Sequence, residues 1–284
     1  AWPKLPPTAA VLGRGVAAGA VSAGITAVCQ FYTAFHPGAE NPRAKGAGPV
    51  QVQAPSLSRR PFRIEALPAL VPAAQILDRT AHQVPAGQTT RITRGDRLLR
   101  IGVGGDELES ISVSVTAAGV MAVLGGPSSG KSSFLRLLPW LNPDSGPWLR
   151  PEQATDPTAY WSGVLRQAVA GGLDRNSVAL VDDADLLPPE ANRHLTDLNA
   201  RGITVVMTAG YSPILAQRVP LALQARSLGS GVLIAPRTFL DGDLFGVRFE
   251  AEPNPPPGRS VLIQNGRALA VQLGWVPRTS RWKE

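Results

Sequence analysis

The chain has 284 residues, of which 44% are hydrophobic and 17% charged, and this composition excludes a chain that is disordered throughout. A single cysteine, Cys29, excludes an internal disulfide, argues against a cysteine-based zinc site and fits a reducing compartment. The net charge of +7 lies in the first third, where residues 1–100 hold 12 Lys and Arg against 4 Asp and Glu. We interpret that third mainly as a solvated basic linker, with contact to nucleic acid or anionic lipid as the alternative.

Two similar segments lie near the ends of the chain, at residues 12–35 and 257–277. Both run from a Gly-Arg pair through a short apolar strand and a glycine-containing turn to a second strand with a glutamine. The later segment predicts a β-hairpin. If the earlier one is the same hairpin rather than a chance match, residues 1–36 are the terminal hairpin of an upstream domain. Residues 37–63, rich in Pro, Gly and Arg, predict a linker, and residues 64–284 the main domain. The matched positions are Gly13 with Gly258, Arg14 with Arg259, and Gln30 with Gln272.

Strands and helices alternate along the main domain. Apolar runs, alternation and Gly or Pro boundaries define the predicted elements. Because strands alternate with helices, the pattern predicts an α/β fold with a largely parallel sheet. The predicted strands are 97–105, 109–115, 119–126, 177–187, 203–210 and 231–236, followed by the hairpin; the predicted helices are a short one within 72–83, then 131–141, 159–172 and 188–202.

The stretch AVLGGPSSGKSSFLRLL, residues 122–138, has the spacing of a phosphate-binding loop between a strand and a helix. Backbone amides of such a loop point at phosphate oxygens, and the helix that follows presents its positive end to them. A lysine stands in the loop although the chain has only 4 Lys against 24 Arg, which favours a phosphate ligand. A plain glycine turn is the alternative. The predicted nucleotide-binding residues are Gly125, Gly126, Pro127, Ser128, Ser129, Gly130, Lys131, Ser132 and Ser133.

Acidic residues follow the second apolar strand, in the stretch ALVDDAD. Open α/β sheets place ligand-binding groups at the carboxyl ends of strands. One carboxylate, Asp182, would orient water on Mg²⁺, and a second, Asp183, would position the attacking water. Capping of the next helix is the alternative for Asp183 and, more strongly, for Asp185.

Two further residues are candidates with strong structural alternatives. Thr208, at the end of the strand 203–210, could sense a γ-phosphate, or could be an ordinary residue at a strand end. Arg201 could be a finger that reaches a neighbouring subunit, but an arginine at a helix C-terminus is also favoured by the helix dipole.

Together these residues resemble the FtsK/SpoIIIE family of RecA-like motor ATPases, and more closely the C-terminal ATPase module of the EccC/EssC-type ATPases of type VII secretion. The resemblance spans residues 60–277 and implies a RecA-like P-loop NTPase domain, its sheet sandwiched by helices and closed by a terminal hairpin. The stretches that carry it are PFRIEALP, GGPSSGKSSFLRLL, LVDDADLL, GITVVMTAG, GVLIAPRTFLDGDLFGVRF and PPPGRSVLIQNGRALAVQLG.

The resemblance implies ATP and Mg²⁺ as cofactors, with Lys131, Ser132 and Asp182 in the nucleotide and magnesium roles. Active members have Asp-Glu at the acidic strand, whereas this chain has Asp-Asp. The shorter Asp183 puts the carboxylate about an ångström from its expected position, and a misplacement of that size can cost on the order of a hundredfold in rate. The resemblance therefore implies an ATP-binding module that hydrolyses weakly.

The resemblance also implies the partners and the location. The partners are upstream ATPase modules of the same protein, further copies in a homo-hexamer of the full machine, and a helical export signal of a secreted substrate. The location is the cytoplasmic face of the bacterial inner membrane, as part of a larger membrane-anchored protein. The alternatives are a DNA-translocating motor module and a nucleotide-holding pseudo-ATPase scaffold. DNA is the less favoured partner, because residues 132–181 hold only four arginines against four acidic residues.

Overall fold

The computed structural model contains two units, Ala1–Arg60 and Pro61–Glu284. In the first unit, strands β1 (Arg14–Ala17) and β2 (Ala27–Gln30) pair antiparallel, with Arg14 opposite Gln30. The residues between these two strands lie outside the described residues. The assignment of this pair of strands to an upstream module stays a prediction, and the predicted linker also lies outside the described residues. The described residues are 14–17, 27–30, 65–78, 96–152 and 154–277.

In the second unit, the described residues form a ten-stranded mixed sheet with helices on both faces. Its strands are β3 (Val71–Pro72), β4 (Arg97–Gly104), β5 (Glu109–Val115), β6 (Val120–Gly125), β7 (Trp148–Leu149), β8 (Val178–Val181), β9 (Thr204–Ala209), β10 (Ser230–Ile234), β11 (Arg259–Gln264) and β12 (Arg267–Trp275). Its helices are α1 (Ala73–Asp78), α2 (Lys131–Leu141), α3 (Pro157–Val169), α4 (Pro189–Ala200), α5 (Leu215–Arg218) and α6 (Pro220–Leu228). Two 3₁₀ turns, Ala184–Leu186 and Phe239–Phe245, follow β8 and β10.

The parallel half of the sheet has the order β10-β6-β9-β8-β7. The strand before the phosphate loop, β6, is therefore flanked by β10 and β9, and β9 separates it from the acidic strand β8. All five strands end at the same edge, because parallel strands point the same way. This topology brings the candidate residues of three strands to one edge of the sheet.

The antiparallel half continues from β10 through β11, β12 and β4 to β5. The predicted terminal hairpin is thus an internal part of the sheet rather than an appendage. Within it, Arg259 lies opposite Gln272, which repeats the Arg–Gln pairing of β1 and β2. The predicted α/β fold is confirmed, with parallel pairing confined mainly to one half of the sheet.

Two hydrophobic clusters cover the two faces of the sheet. Side chains of β6 alternate between them: Met121 and Val123 join the cluster beneath α1 and α2, and Ala122 and Leu124 join the cluster beneath α3, α4 and α6. A strand covered on both faces reads as an unbroken apolar run, which is why residues 119–126 were recognisable as a strand.

Helix α2 is fixed at its far end by a buried asparagine. The Asn142 side chain accepts from the Arg100 backbone N–H at 2.7 Å and donates to the Arg100 carbonyl at 3.0 Å and the Leu138 carbonyl at 2.8 Å. Strand β4 has an irregular register between Arg100 and Gly102, so the side chain substitutes for a strand partner at that point. The helix that follows the phosphate loop is thereby joined to the antiparallel half of the sheet.

Candidate functional site

The predicted phosphate-binding loop lies between the end of β6 and the start of α2. Gly130 caps α2 with a φ of 106°, a left-handed conformation that favours glycine. A Cβ at Gly125 would overlap the Ser129 hydroxyl, so the loop closes tightly on its own first residue. The turn therefore favours glycine at position 130, and the close approach of Ser129 favours glycine at position 125.

Lys131 folds back over the loop. Its Nζ donates to the carbonyls of Gly125 and Gly126, both at 3.1 Å, and lies 3.4 Å from Oδ1 of Asp183. Its side chain is 11% exposed, against 41% for Asp183. Because water screens an ion pair with so exposed a partner, the pair contributes little to stability, about 1 kcal/mol at most. Its importance is geometric, since it joins the phosphate loop to the acidic strand.

The acidic pair follows the last residue of β8, as predicted. Val181 pairs with Met207 of β9, so Asp182 lies level with Thr208. Asp183 has a φ of 45° and a ψ of 57°, a left-handed conformation that aspartate tolerates better than most residues. The turn at this residue accompanies the approach of its carboxylate to Lys131.

Thr208 connects the two aspartates. Its hydroxyl donates to Oδ1 of Asp182 at 2.7 Å and accepts from the backbone N–H of Asp183 at 2.8 Å. Thr208 is fully buried, whereas Asp182 is exposed at the edge of the sheet. The buried hydroxyl therefore fixes both the carboxylate of one aspartate and the backbone of the next. Its role as a γ-phosphate sensor stays a prediction.

The loop residues fit a bound nucleotide. The Ser129 hydroxyl is buried, and its oxygen has no hydrogen-bond partner among the described residues, which leaves a polar group available to a ligand. Ser132 and Ser133 are exposed at the start of α2, where helix backbone N–H groups favour anions. The Ser133 hydroxyl accepts from Arg136 at 3.0 Å.

The residues present fit Mg²⁺ only together with phosphate oxygens. No group of three or more His, Cys, Asp or Glu side chains able to hold a metal occurs in the described part of the chain. Mg²⁺ in nucleotide sites is usually held by one or two carboxylates, substrate phosphates and waters. The exposed Asp182 carboxylate and Ser132 hydroxyl are groups of the right chemistry.

Asp185 does not cap the next helix. Its Oδ2 accepts from the backbone N–H of Gly210, directly after β9, at 3.2 Å. Helix α4 instead begins after Pro188, with no side-chain cap, and Asp183 caps nothing through its side chain. Tyr211 follows Gly210 and had no sequence signal, because an isolated tyrosine in a loop belongs to no pattern.

Arg201 lies away from the other candidates. It follows α4 and precedes β9, so it is near the edge at which the parallel strands begin. The six residues of β9 put about 20 Å between that edge and the phosphate loop. Within one chain Arg201 therefore does not join the site, and its role toward a neighbouring subunit stays a prediction.

The strand order, the phosphate loop and the acidic strand define a P-loop ATPase fold. The resemblance expected from the sequence is confirmed at the level of the fold, because solved structures of EccC and EssC ATPases share it. No family model and no curated protein matches the sequence. None of the described helices combines the length and apolar character needed to span a membrane.

Three solved structures give the measure of this likeness. The cytoplasmic domain of the Thermomonospora curvata type VII secretion ATPase EccC is 16% identical, with a TM-score of 0.52, over 75% of this chain and 29% of that one. EssC (ATPases 2 and 3) from Geobacillus thermodenitrificans is 12% identical, with a TM-score of 0.51, over 74% and 45%. Thermomonospora curvata EccC (ATPases 2 and 3) in complex with a signal sequence peptide is 16% identical, with a TM-score of 0.50, over 75% and 44%. The match thus covers less than half of each of these proteins.

Proposed function

We propose that this chain is an ATP-binding, weakly hydrolysing module of a type VII secretion ATPase, which couples its nucleotide state to substrate docking and export. The observation that carries the proposal is the network from Lys131 through Asp183 and Thr208 to Asp182. It joins the phosphate loop, the acidic strand and the sensor strand at one edge of the sheet. A glycine turn without ligand would need none of these contacts.

Each residue has a defined task in the bound state. Lys131 would leave its two loop carbonyls and contact phosphate oxygens, which backbone N–H groups of the loop and of the start of α2 would also bind. Ser132 and Asp182 would hold Mg²⁺, which supplies charge neutralisation at the phosphates when bound. Asp183 is the group available to position the attacking water.

Weak hydrolysis follows from the position of Asp183. Its carboxylate is one methylene shorter than the glutamate of active members, and it contacts Lys131 directly. The lysine holds this carboxylate until phosphate displaces it, and the short side chain then limits how far the carboxylate can reach toward the attacking water. Both features favour a module that binds ATP and hydrolyses it more slowly than a motor ATPase does.

Exposed apolar side chains support the docking part of the proposal. They lie on the loops after β8, β9 and β10, at the same edge as the phosphate loop; they are Leu186, Ile214, Phe239 and Leu240. Apolar side chains that stay exposed beside a site are typical of a surface that binds a partner. We propose that they receive the apolar face of a helical export signal, within a hexamer built from this and upstream modules at the cytoplasmic face of the inner membrane.

The test is nucleotide binding and turnover by this chain and by Lys131→Ala, with Mg²⁺ present. A fluorescent ATP analogue measures affinity, and phosphate release measures turnover. Arg166→Ala is the control, because it removes an exposed cation from α3 without touching the loop. We expect Lys131→Ala to lose binding, the control to retain it, and turnover to be slow in the parent chain.

Other outcomes would contradict the proposal in distinct ways. Absence of binding by the parent chain would overturn the nucleotide site itself. Turnover that rises strongly with added DNA would indicate a DNA-translocating motor, and binding with no turnover at any chain concentration would indicate a scaffold.

A further inference from the structure

The loop after β9 is held on both sides by side chains other than those of the proposed nucleotide site. On one side, Asp185 accepts from the backbone N–H of Gly210 at 3.2 Å. On the other, the Tyr211 hydroxyl donates to the carbonyl of Ile234, the last residue of β10, at 3.0 Å. These two contacts connect the loops that follow β8 and β9 with the end of β10.

Tyr211 crosses the end of the strand that leads into the phosphate loop. Ile234 pairs with Gly125 of β6, and Ala209, two residues before Tyr211, pairs with Leu124. Since β6 lies between β9 and β10, and neighbouring strands are about 5 Å apart, the tyrosine side chain bridges a gap of about 10 Å. It does so where Gly125 leaves the sheet.

The ring of Tyr211 lies on the face opposite helix α2. It packs against the cluster beneath α3, α4 and α6, which includes Leu124, whereas α2 packs on the other cluster. The end of β6 is thus enclosed between α2 on one face and the tyrosine on the other. A rigid loop base is what phosphate binding requires, because the loop amides must already face the ligand.

The phenol is a permanent donor. Burial, and to a lesser extent the nearby Asp241 carboxylate, raise the pKa of Tyr211 far above its ordinary value. The hydroxyl therefore stays protonated beyond the pH at which an ordinary tyrosine loses its proton, and its bond to the Ile234 carbonyl is retained there.

We propose that Tyr211 is a positioning residue, which sets the distance between the phosphate loop and the Thr208–Asp183 network by joining β9 to β10 across β6. Asp185 holds the other side of the same loop. This inference rests on the proposed nucleotide binding. It explains part of the affinity for nucleotide by the position in which Tyr211 holds the phosphate loop. Tyr211 touches no nucleotide in this role; it acts through the backbone of β10 and through Gly210.

The test compares Tyr211→Phe with Tyr160→Phe. Tyr160 lies on α3, its half-buried hydroxyl interacts with the backbone of Arg150, and burial raises its pKa as well. Each variant keeps its ring and loses one hydroxyl. For both we measure the melting temperature without ligand, the Kd for a fluorescent ATP analogue, and the increase in melting temperature that the nucleotide causes.

We expect Tyr211→Phe to weaken nucleotide binding by about 3- to 10-fold, the factor that loss of one buried hydrogen bond supplies. Tyr160→Phe should bind as the parent chain does, even where the two variants lose similar thermal stability. A purely structural role would lower the melting temperature of both variants and leave the nucleotide affinity of both unchanged. That result would overturn the positioning role.

A second pair keeps the inference testable if Tyr211→Phe does not fold. Asp185→Ala removes the acceptor for Gly210, and Asp185→Asn retains an oxygen that can accept the same bond. We expect the alanine variant to bind nucleotide more weakly and the asparagine variant to recover most of the affinity. Equal affinity in parent, alanine and asparagine variants contradicts the inference while leaving the proposed function intact. Loss of binding in the parent chain itself overturns the proposed function, and the positioning role with it.

Discussion

Replacing Thr208 by valine tests the network at the edge of the sheet with a change of almost no volume. The hydroxyl donates to Asp182 at 2.7 Å and accepts from the backbone N–H of Asp183 at 2.8 Å, and the residue is fully buried. Valine fills the same space and makes neither bond. The substitution therefore removes hydrogen bonds without creating a cavity.

The expected cost follows from the environments of the two partners. The exposed Asp182 carboxylate regains hydrogen bonds from water, so the free-energy cost of losing the Thr208 donor is small there. The N–H of Asp183 loses its partner at a left-handed residue, and an unpaired, partly buried donor costs about 1–3 kcal/mol. We expect the free energy of unfolding to fall by about 2 kcal/mol, or the melting temperature by about 4–8 °C for a domain of this size.

Thr204→Val is the matched control. Thr204 lies on the same strand and is equally buried, but its hydroxyl has no hydrogen-bond partner among the described residues. Urea denaturation measures the free energy of unfolding of both variants, and the comparison requires that their m-values are equal. Thr204→Val should be neutral or stabilising. If Thr208→Val costs no more than Thr204→Val, the hydroxyl of Thr208 does not hold the acidic pair and the reasoning fails.

Two further predictions concern the length of Asp183 and the anchor of α2. Asp183→Glu adds the methylene by which the glutamate of the proposed active counterparts is longer, so phosphate release should rise by about 10- to 100-fold at unchanged nucleotide affinity. Intact binding with unchanged turnover would show that the reach of the carboxylate is not limiting. Asn142→Leu leaves the N–H and carbonyl of Arg100 unpaired and should lower the free energy of unfolding by about 3 kcal/mol. Urea denaturation checks it, and a loss below about 0.5 kcal/mol would mean that water or another group replaces the amide.

The site was predictable from the sequence where spacing alone determines it. A buried strand, a glycine-rich loop and a lysine at the start of a helix form one local unit, and Lys131 lies where that unit places it. The acidic strand was found the same way, from an apolar run followed by Asp182 and Asp183. Both signals lie within a few residues, so no tertiary contact is needed to recognise them.

Contacts between distant strands were not predictable. Tyr211 bonds to Ile234 only because β6 lies between β9 and β10, and no local pattern reports that order. Asp185 has the type and position of a helix cap, yet its carboxylate turns to Gly210, since the neighbouring strand supplies a backbone donor. Residues 211–229 carried no prediction, although α5 and α6 lie there. Short helices of four and nine residues depend on packing more than on propensity, which explains the omission.

The contact between Lys131 and Asp183 determines how the proposed function should behave. In the structure the lysine is satisfied by two carbonyls and a carboxylate, so phosphate must replace these partners rather than enter beside a free cation. Displacing Asp183 frees its carboxylate for water, but Thr208 still holds the backbone of that residue. The carboxylate can therefore move only as far as rotation of a short side chain allows. In the proposed function, nucleotide would therefore bind by exchanging contacts at a fixed edge, which suits the holding of ATP better than its rapid hydrolysis.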